Sequence, residues 1–222
     1  MNKIMYTFII WSLSIGQAVS GERIFVTFDH LNTVSTVYTD IESFDYSIEV
    51  GIKPEGMMVN RDASILFVAN QFDNTITIID TLSFLVTGVV KVGERPYAIL
   101  AHPDGKRLLV TNYYEDTVTV IDTPTQKVIQ TLITGKGPYA ITTNPSGSLI
   151  FISNYWEDNT VMIISSTTYK LLATIKVGAS PVSMTSDNKY IYVANDLDQT
   201  ITIIDYMLKS DTLEAFFDCN LL

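Results

Sequence analysis

The sequence has little cysteine, histidine or positive charge, and each shortage excludes a class of site. Its 222 residues include one cysteine, two histidines, and 14 lysines and arginines against 24 aspartates and glutamates. A lone Cys219 cannot form an internal disulfide, a cysteine-based metal site or a haem attachment motif. A formal net charge of −10 with no basic stripe argues against nucleic acid as a partner.

Long hydrophobic runs are also absent, except within the first twenty residues. There a basic start at Lys3 precedes the 13-residue run IMYTFIIWSLSIG, and the small residues Ala18 and Ser20 precede Gly21. Such a run is short for a membrane span and typical of a signal peptide. Residues 1–20 are therefore predicted to be a signal peptide cleaved after Ser20. The product would be periplasmic, secreted or at the cell surface, with no stable membrane span. An uncleaved amphipathic or membrane anchor is the alternative.

One repeated pattern occupies most of the remaining chain. Clear copies lie at 67–80, 109–122, 151–165 and 192–205, and a fainter copy lies at 25–38. Two sets of equivalent residues keep a step of 41 to 43 residues: the asparagines Asn70, Asn112, Asn154 and Asn195, and the prolines Pro54, Pro96, Pro138 and Pro181. A fixed period of this length indicates a repeat architecture.

Each unit divides into four strand-length pieces separated by turn residues. In one unit these pieces are PYAILA, RLLVTN, TVTVID and KVIQTLITG, which are rich in Val, Ile, Thr and Tyr and have no helical period. Pro103, Asp104 and Gly105 are typical of a type I turn that closes on a left-handed glycine. The pattern predicts an all-β chain, a β-propeller of four-stranded blades of about 42 residues. About five units fill residues 21–205, and neighbouring blades should cover both faces of each sheet.

The repeat resembles the YVTN family of β-propeller repeats. The motif that gives the family its name is present as FVAN, LVTN, FISN and YVAN, and GxxPYAI, PDGKR and DTVTVID accompany it. The resemblance covers residues 23–205. It implies a propeller, often with seven blades, in a secreted, periplasmic or cell-surface protein. It implies no single activity, because similar propellers include binding proteins, surface-layer components and enzymes.

Both ends of the repeat region depart from this pattern. The first unit lacks an inner strand, because the predicted signal peptide occupies its place. The tail at 206–222 lacks the rhythm of the other units and their closing glycine. Its LEAFF segment either supplies a strand or is what a truncation or frameshift of a longer gene has left. Because unpaired strand edges promote aggregation, ring closure is the open question. A complete five-unit ring or arc and a broken propeller are the two alternatives.

Residues that recur in every unit are predicted to serve the blade. The asparagine that ends each second strand is expected to cap its hairpin by bonding the backbone two or three residues on. Asp80, Asp122 and Asp205 should cap the turn after the third strand in the same manner. The hairpin carboxylates are assigned to turn geometry rather than to acid catalysis: Asp73, Asp116, Asp158 and Asp198.

Residues that differ between units are the candidates for binding. In an up-and-down blade, the hairpin after the second strand and the crossover into the next blade emerge on one face. Variable loops on a rigid scaffold commonly carry binding, and aromatic residues favour sugar, peptide or protein recognition. The alternative is that these aromatic side chains only shield blade edges. The predicted ligand-binding residues are Phe72, Arg95, Tyr97, Tyr113, Tyr114, Glu115, Tyr139, Tyr155 and Trp156.

Signals for catalysis are few. His30 and His102 fall in different turn types on opposite predicted faces, so they form neither a metal pair nor a serine triad. No glycine-rich phosphate loop precedes a helix, and we predict no metal and no cofactor. The sequence favours a non-catalytic exported propeller that binds a protein or glycan partner. The alternative is a lactonase- or lyase-like propeller enzyme with a metal at the central channel.

Overall fold

The computed structural model describes residues 23–38, 43–207 and 215–220. Within these ranges every regular element is a strand, and the strands form five antiparallel sheets. This arrangement confirms the predicted all-β fold built from repeated blades. The predicted signal peptide, residues 1–20, lies outside the described residues.

The sheets follow one another along the chain as blades 1 to 5. Blade 1 contains β1 (Arg23–Phe28), β2 (Thr33–Tyr38) and β3 (Ser43–Glu49), and blade 2 contains β4 (Pro54–Val59), β5 (Ile65–Asn70), β6 (Thr75–Asp80) and β7 (Val86–Lys91). Blade 3 contains β8 (Pro96–Ala101), β9 (Arg107–Asn112), β10 (Thr117–Asp122) and β11 (Lys127–Ile133). Blade 4 contains β12 (Pro138–Thr143), β13 (Leu149–Asn154), β14 (Thr160–Ser165) and β15 (Leu171–Lys176). Blade 5 contains β16 (Pro181–Ser186), β17 (Tyr190–Asn195), β18 (Thr200–Asp205) and β19 (Ala215–Asn220).

The first and last blades answer one question that the sequence left open. In the described residues blade 1 has three strands, as predicted from its missing inner strand. In blade 5 the tail supplies β19, which pairs antiparallel with β18 from Thr200 opposite Asn220 to Ile204 opposite Ala215. This strand overlaps the LEAFF segment, so the tail contributes the outer strand of blade 5.

The blades are arranged around an axis lined by the first strand of each four-stranded blade. β4 contacts β8, β8 contacts β12, and β12 contacts β16, while β1 contacts β4. The outer strands are largely exposed, as the run of exposed side chains along β11 shows. The innermost strands are therefore those that begin at the repeated prolines.

The hydrophobic core lies between successive blades. Between blades 2 and 3, for example, Phe67 and Ile76 pack against Leu108 and Val110, and all four side chains are almost fully buried. Similar clusters separate blades 1 and 2, 3 and 4, and 4 and 5. Each such side chain contributes roughly 1.5–3 kcal/mol through burial. The sheets of blades 2 to 4 are thus covered on both faces, as predicted.

The turns between the first and second strands of blades 3 and 4 use glycine where the backbone is left-handed, whereas blade 2 has Ala63 there with a φ angle of 58°. Gly105 and Gly147 have φ angles of 70° and 72°, and their N–H groups donate to the carbonyls of His102 and Asn144. Because only glycine adopts this region without a steric cost, the predicted turn at Pro103, Asp104 and Gly105 is confirmed.

Candidate functional site

We call loop face the end of the propeller formed by the hairpins after each second strand and the crossovers that lead into each inner strand. In blade 3 the N–H groups of Tyr113 and Tyr114 donate to the carbonyls of Arg95 and Glu94 at 2.9 and 3.3 Å. Equivalent backbone bonds join hairpin and crossover in blades 2, 4 and 5. The two kinds of loop therefore share one face, as predicted.

The asparagine that ends each second strand lies beneath the loop face and bonds the third strand of its blade. Asn112 is fully buried, and its Nδ2 donates to Thr117 Oγ1 at 2.9 Å and Thr119 Oγ1 at 2.8 Å. Asn70 and Asn195 make the same pair of bonds. The structural role is confirmed, but the predicted backbone partner of the side chain is wrong. The amide points into the sheet, where the alternate threonines of the third strand face it.

The carboxylate in each hairpin holds the crossover of its own blade. Glu115 Oε2 accepts a hydrogen bond from Glu94 N–H at 2.9 Å. Asp73, Asp158 and Asp198 bond the equivalent N–H groups of Ile52, Lys136 and Ala179. Glu115 therefore occupies the hairpin position of Asp73, Asp158 and Asp198, where the sequence had placed Asp116. Glu115 borders the variable residues, but the equivalent carboxylate bonds the equivalent crossover N–H group in every four-stranded blade.

Asp116 instead has the position of Asn74 and Asn159. Its Oδ1 accepts a hydrogen bond from Gly137 N–H at 2.9 Å, so it links blade 3 to the crossover of blade 4. Asn74 bonds Arg95 N–H and Asn159 bonds Ser180 N–H in the same way. Grouping Asp116 with Asp73, Asp158 and Asp198 was wrong, because the aligned residue of blade 3 is Glu115. The carboxylates of this face thus fix loops within and between blades.

Seven of the nine predicted binding residues are aromatic, and the structure brings six of these rings into contact. Tyr113 lies at the centre, with ring centroids 5.0 Å from Trp156, 5.4 Å from Tyr114 and 5.8 Å from Tyr139. The ring of Tyr155 stacks on that of Tyr139 at 5.2 Å. We call this set, with Phe72, the aromatic surface: Phe72, Tyr97, Tyr113, Tyr114, Tyr139, Tyr155 and Trp156.

A glycine makes the centre of the aromatic surface possible. A Cβ atom on Gly137 would lie 3.2 Å from both Trp156 Cγ and Tyr113 Cε2. The crossovers of blades 2 and 3 have Lys53 and Arg95 at this position. Without a side chain there, Trp156 approaches Tyr113 and its Nε1–H donates to the Tyr113 hydroxyl.

The outer part of the aromatic surface is open to solvent. Phe72, Tyr114 and Trp156 expose 51%, 52% and 40% of their surface. The Arg95 guanidinium lies 3.8 Å from the Phe72 ring centroid and 5.3 Å from that of Tyr114. Arg95 thereby joins Phe72 of blade 2 to the rings of blades 3 and 4. Eight of the nine predicted residues thus form one continuous surface, and the ninth, Glu115, lies at its edge.

The inner part of the aromatic surface lies at the start of the innermost strands. Tyr97 and Tyr139 each follow a repeated proline. At both positions a β-bulge interrupts the pairing between the inner strand and its neighbour. The two hydroxyls hydrogen-bond to each other. Glu55 holds the same position in blade 2. Burial raises the pKa of both phenols, and the negative charge of Glu55 adds to the effect. Both hydroxyls are therefore neutral at neutral pH.

Glu55 and Lys53 are loop-face residues that the predicted set omitted. Lys53 Nζ lies 3.6 Å from Glu55 Oε1, whose side chain is 13% exposed. Both line an open cavity of about 610 Å³ that also includes Asp29, His30 and Phe72. The signal was present in the sequence, since Glu55 follows a repeated proline as Tyr97 and Tyr139 do.

The two histidines lie at opposite ends of the propeller, as predicted. His30 is in the hairpin between β1 and β2 on the loop face. His102 is buried in the turn after β8, where its Nε2 contacts the Gly147 carbonyl at 2.8 Å. Among the residues that the structure describes, no three His, Cys, Asp or Glu side chains form a group that could hold a metal ion. The described ranges also contain no helix with the length and apolar character of a membrane span.

Comparison with protein families identifies a propeller. A family model described as YNCE-like beta-propeller matches residues 52–147, from the crossover before blade 2 to the turn after β12. Among curated proteins, none matches the sequence. The narrower YVTN resemblance stays a prediction.

Solved structures share the same fold at low sequence identity. The β-propeller domain of Cps50 (Swd1) from Myceliophteria thermophila is 12% identical with a TM-score of 0.78, over 95% of this chain and 71% of that one. A candidate 6-phosphogluconolactonase from Bacteroides fragilis is 17% identical with a TM-score of 0.79, over 92% and 69%. Kuenenia stuttgartiensis hydrazine synthase is 17% identical with a TM-score of 0.70, over 86% and 75%. The chain therefore has a β-propeller fold, and a fold with such different relatives does not determine its function.

Proposed function

We propose that this β-propeller is a non-catalytic binding protein whose aromatic surface recognises a glycan or protein partner. The observation that carries the proposal is the continuous set of rings from three hairpins and two inner strands, with Phe72, Tyr114 and Trp156 open to solvent. Rigid aromatic side chains provide a large contact area at a low entropic cost, which suits them to binding.

The way this surface is built supports a binding role. The hydrogen bonds that hold the loops come from recurring residues such as Asn112, Asp116 and Glu115. The exposed rings of Tyr114 and Trp156 contribute no bond to that network, apart from the bond of Trp156 to Tyr113. The loop face therefore has a structural layer shared by the blades and a variable layer above it. Export through a cleaved signal peptide is part of the proposal and would place this surface outside the cytoplasm.

The direct test is a binding screen with paired variants. The wild-type protein and the Y114A/W156A double variant are applied to immobilised panels of glycans and envelope proteins. The matched control is L82A/M207A, which removes two exposed apolar side chains outside the loop face. We expect a saturable signal for the wild type and the control, and its loss in Y114A/W156A without a change in melting temperature. A signal that survives in Y114A/W156A would contradict the site.

A second candidate is hydrolysis near the propeller axis. One observation favours it: Glu55, Tyr97 and Tyr139 follow equivalent prolines on three consecutive inner strands, which places a carboxylate near two hydrogen-bonded phenols. A carboxylate beside neutral O–H donors suits acid–base chemistry on a lactone. Lactone hydrolysis by the wild type that E55Q abolishes would favour this function. Equal background rates in the two proteins would exclude it.

A further inference from the structure

The side chain of Arg95 lies over two aromatic rings. Its guanidinium carbon lies 3.8 Å from the Phe72 centroid and 5.3 Å from the Tyr114 centroid. Rings that stack on a guanidinium cover its faces and leave the N–H groups along its edge available. Arg95 therefore presents oriented hydrogen-bond donors beside the most exposed rings of the aromatic surface.

Those donors have no acceptor within the part of the chain that the structure describes. Other cations of the loop face are paired: Lys53 with Glu55 at 3.6 Å and Lys136 with Asp116 at 2.7 Å. The nearby hairpin carboxylates of Asp73 and Glu115 accept backbone N–H groups instead. An arginine placed between rings without an acceptor is suited to receive one from a ligand.

The left-handed backbone at Arg95 is a feature of the repeat. Its φ angle is 56°, and the equivalent residues Lys53, Gly137 and Ser180 have φ angles of 55°, 62° and 58°. The conformation therefore serves the crossover in each four-stranded blade. Arg95 is distinguished by its side chain, whose guanidinium lies over two rings.

The acceptor that best matches a planar guanidinium edge is a carboxylate, which accepts two parallel N–H bonds. The Tyr114 ring lies beside the guanidinium, and the Trp156 ring lies next to Tyr114 with centroids 5.6 Å apart; much of both rings is open to solvent. Peptides usually bind along a sheet edge or in a groove, whereas the loop face presents strand ends and ring faces. Flat, exposed rings instead suit the apolar face of a sugar.

We propose that the aromatic surface binds a hexuronate, with its carboxylate on Arg95 and its sugar ring on Tyr114 and Trp156. This inference rests on the proposed binding function and names its ligand class. Exposed Glu94 and Glu157 and the net charge of −10 repel a dense polyanion, so the fitting ligand is a uronate flanked by neutral sugars. Arg95 then determines specificity for the acid, and the rings provide affinity for any sugar.

Fluorescence of Trp156 tests the inference directly. The chain contains two tryptophans, so the full chain with Trp11→Phe reports on Trp156 alone. It is titrated with methyl β-glucuronide, methyl β-glucoside and a blocked Gly-Glu-Gly peptide. Because a charge-assisted bidentate pair is a strong interaction, we expect the glucuronide to bind about tenfold more tightly than the glucoside.

The variants separate charge from geometry. R95Q should bind both glycosides equally, and R95K should keep only part of the preference because an ammonium is a point charge. The control K127Q removes the same charge from the exposed outer strand of blade 3 and should leave the preference unchanged.

Each remaining outcome counts against the inference. Equal binding of the two glycosides by the wild type would overturn the uronate assignment but would support the aromatic surface as a sugar site. Tighter binding of the peptide would overturn the sugar assignment. No saturable response to any probe would overturn the inference, and the panel screen with Y114A/W156A would then decide the proposed function on its own.

Discussion

Replacing Asn112 with alanine tests the structural layer beneath the aromatic surface. The side chain is fully buried and donates to Thr117 and Thr119 at 2.9 and 2.8 Å. Two net hydrogen bonds contribute about 1 kcal/mol each, and leaving buried hydroxyls without a partner adds a cost of similar size. We therefore expect N112A to lower the free energy of unfolding by about 3 kcal/mol, a large part of the total for a typical domain.

Equilibrium unfolding in urea measures this loss, and two variants show its origin. T117V/T119V in the N112A background removes the orphaned hydroxyls, so the triple variant should regain about 1 kcal/mol. Y114A removes a half-exposed ring from the same hairpin and should change the unfolding free energy by less than about 1 kcal/mol. A loss below about 0.5 kcal/mol in N112A would refute the reasoning, because the buried bonds would then contribute nothing measurable.

Three further predictions concern the backbone and the titrating groups. A Cβ on Gly93 would lie 2.6 Å from Nδ2 and 2.7 Å from Cγ of the buried Asn112, so G93A should lower the unfolding free energy by about 1–3 kcal/mol. G105A has open space and only an unfavourable φ, and it should lose about 1 kcal/mol. Equal losses would contradict the contact with Asn112. Burial raises the pKa of Asp104, but hydrogen bonds from Lys106 N–H and Arg107 outweigh it, and the net pKa lies below 3.8. The stabilisation from this charge is therefore present above pH 3.8 and lost as pH falls through the lower folded pKa, so the wild type and D104N should converge in stability in acid. If the difference in unfolding free energy between the wild type and D104N, measured in urea, stays constant as the pH falls, this prediction is wrong. Burial raises the pKa of Tyr97, Tyr113 and Tyr139 above 10.0, so stability should fall as pH rises beyond that value. The phenolate absorbance that is lost in the triple Phe variant of these three residues should appear late and with unfolding. If that absorbance instead titrates at pH 10.0 in the folded protein, their burial is contradicted.

The repeat made most of the fold predictable from the sequence. Residues such as Asn112, Pro96 and Asp122 recur with their unit, so their positions indicated strands, turns and a propeller. Asp122 indeed caps the turn after the third strand by accepting a hydrogen bond from Thr125 N–H at 2.9 Å. The partners of Asn112 were not predictable, because the orientation of its amide depends on how the hairpin closes over the third strand.

The loop face was predictable as a set of residues but not as an arrangement. Rings such as Tyr114 and Trp156 stood out because they differ between copies. The role of Glu115 was missed because Glu157 adds one residue to the hairpin of blade 4, which obscured the alignment of the carboxylates. The meeting of Glu55, Tyr97 and Tyr139 depends on the rotation between blades, which a linear sequence does not show.

The stacking of Arg95 depends on a side-chain conformation and on rings from two blades. The sequence shows only that blades 2 and 3 have Lys53 and Arg95 at the position where blades 4 and 5 have Gly137 and Ser180. That Arg95 lies between Phe72 and Tyr114, without an acceptor in the described residues, is a property of the folded surface.

Hydroxyl-radical footprinting with a bound glycoside tests the central claim most directly. Oxidation of the intact chain is compared with and without saturating methyl β-glucuronide and methyl β-glucoside. The account predicts that Phe72, Tyr114 and Trp156 become protected, while the exposed Leu82 and Met207 away from the loop face react as before. Protection at Leu82 or Met207, or unchanged oxidation of the three rings under conditions where a ligand is bound, would contradict the claim that the aromatic surface is the binding site.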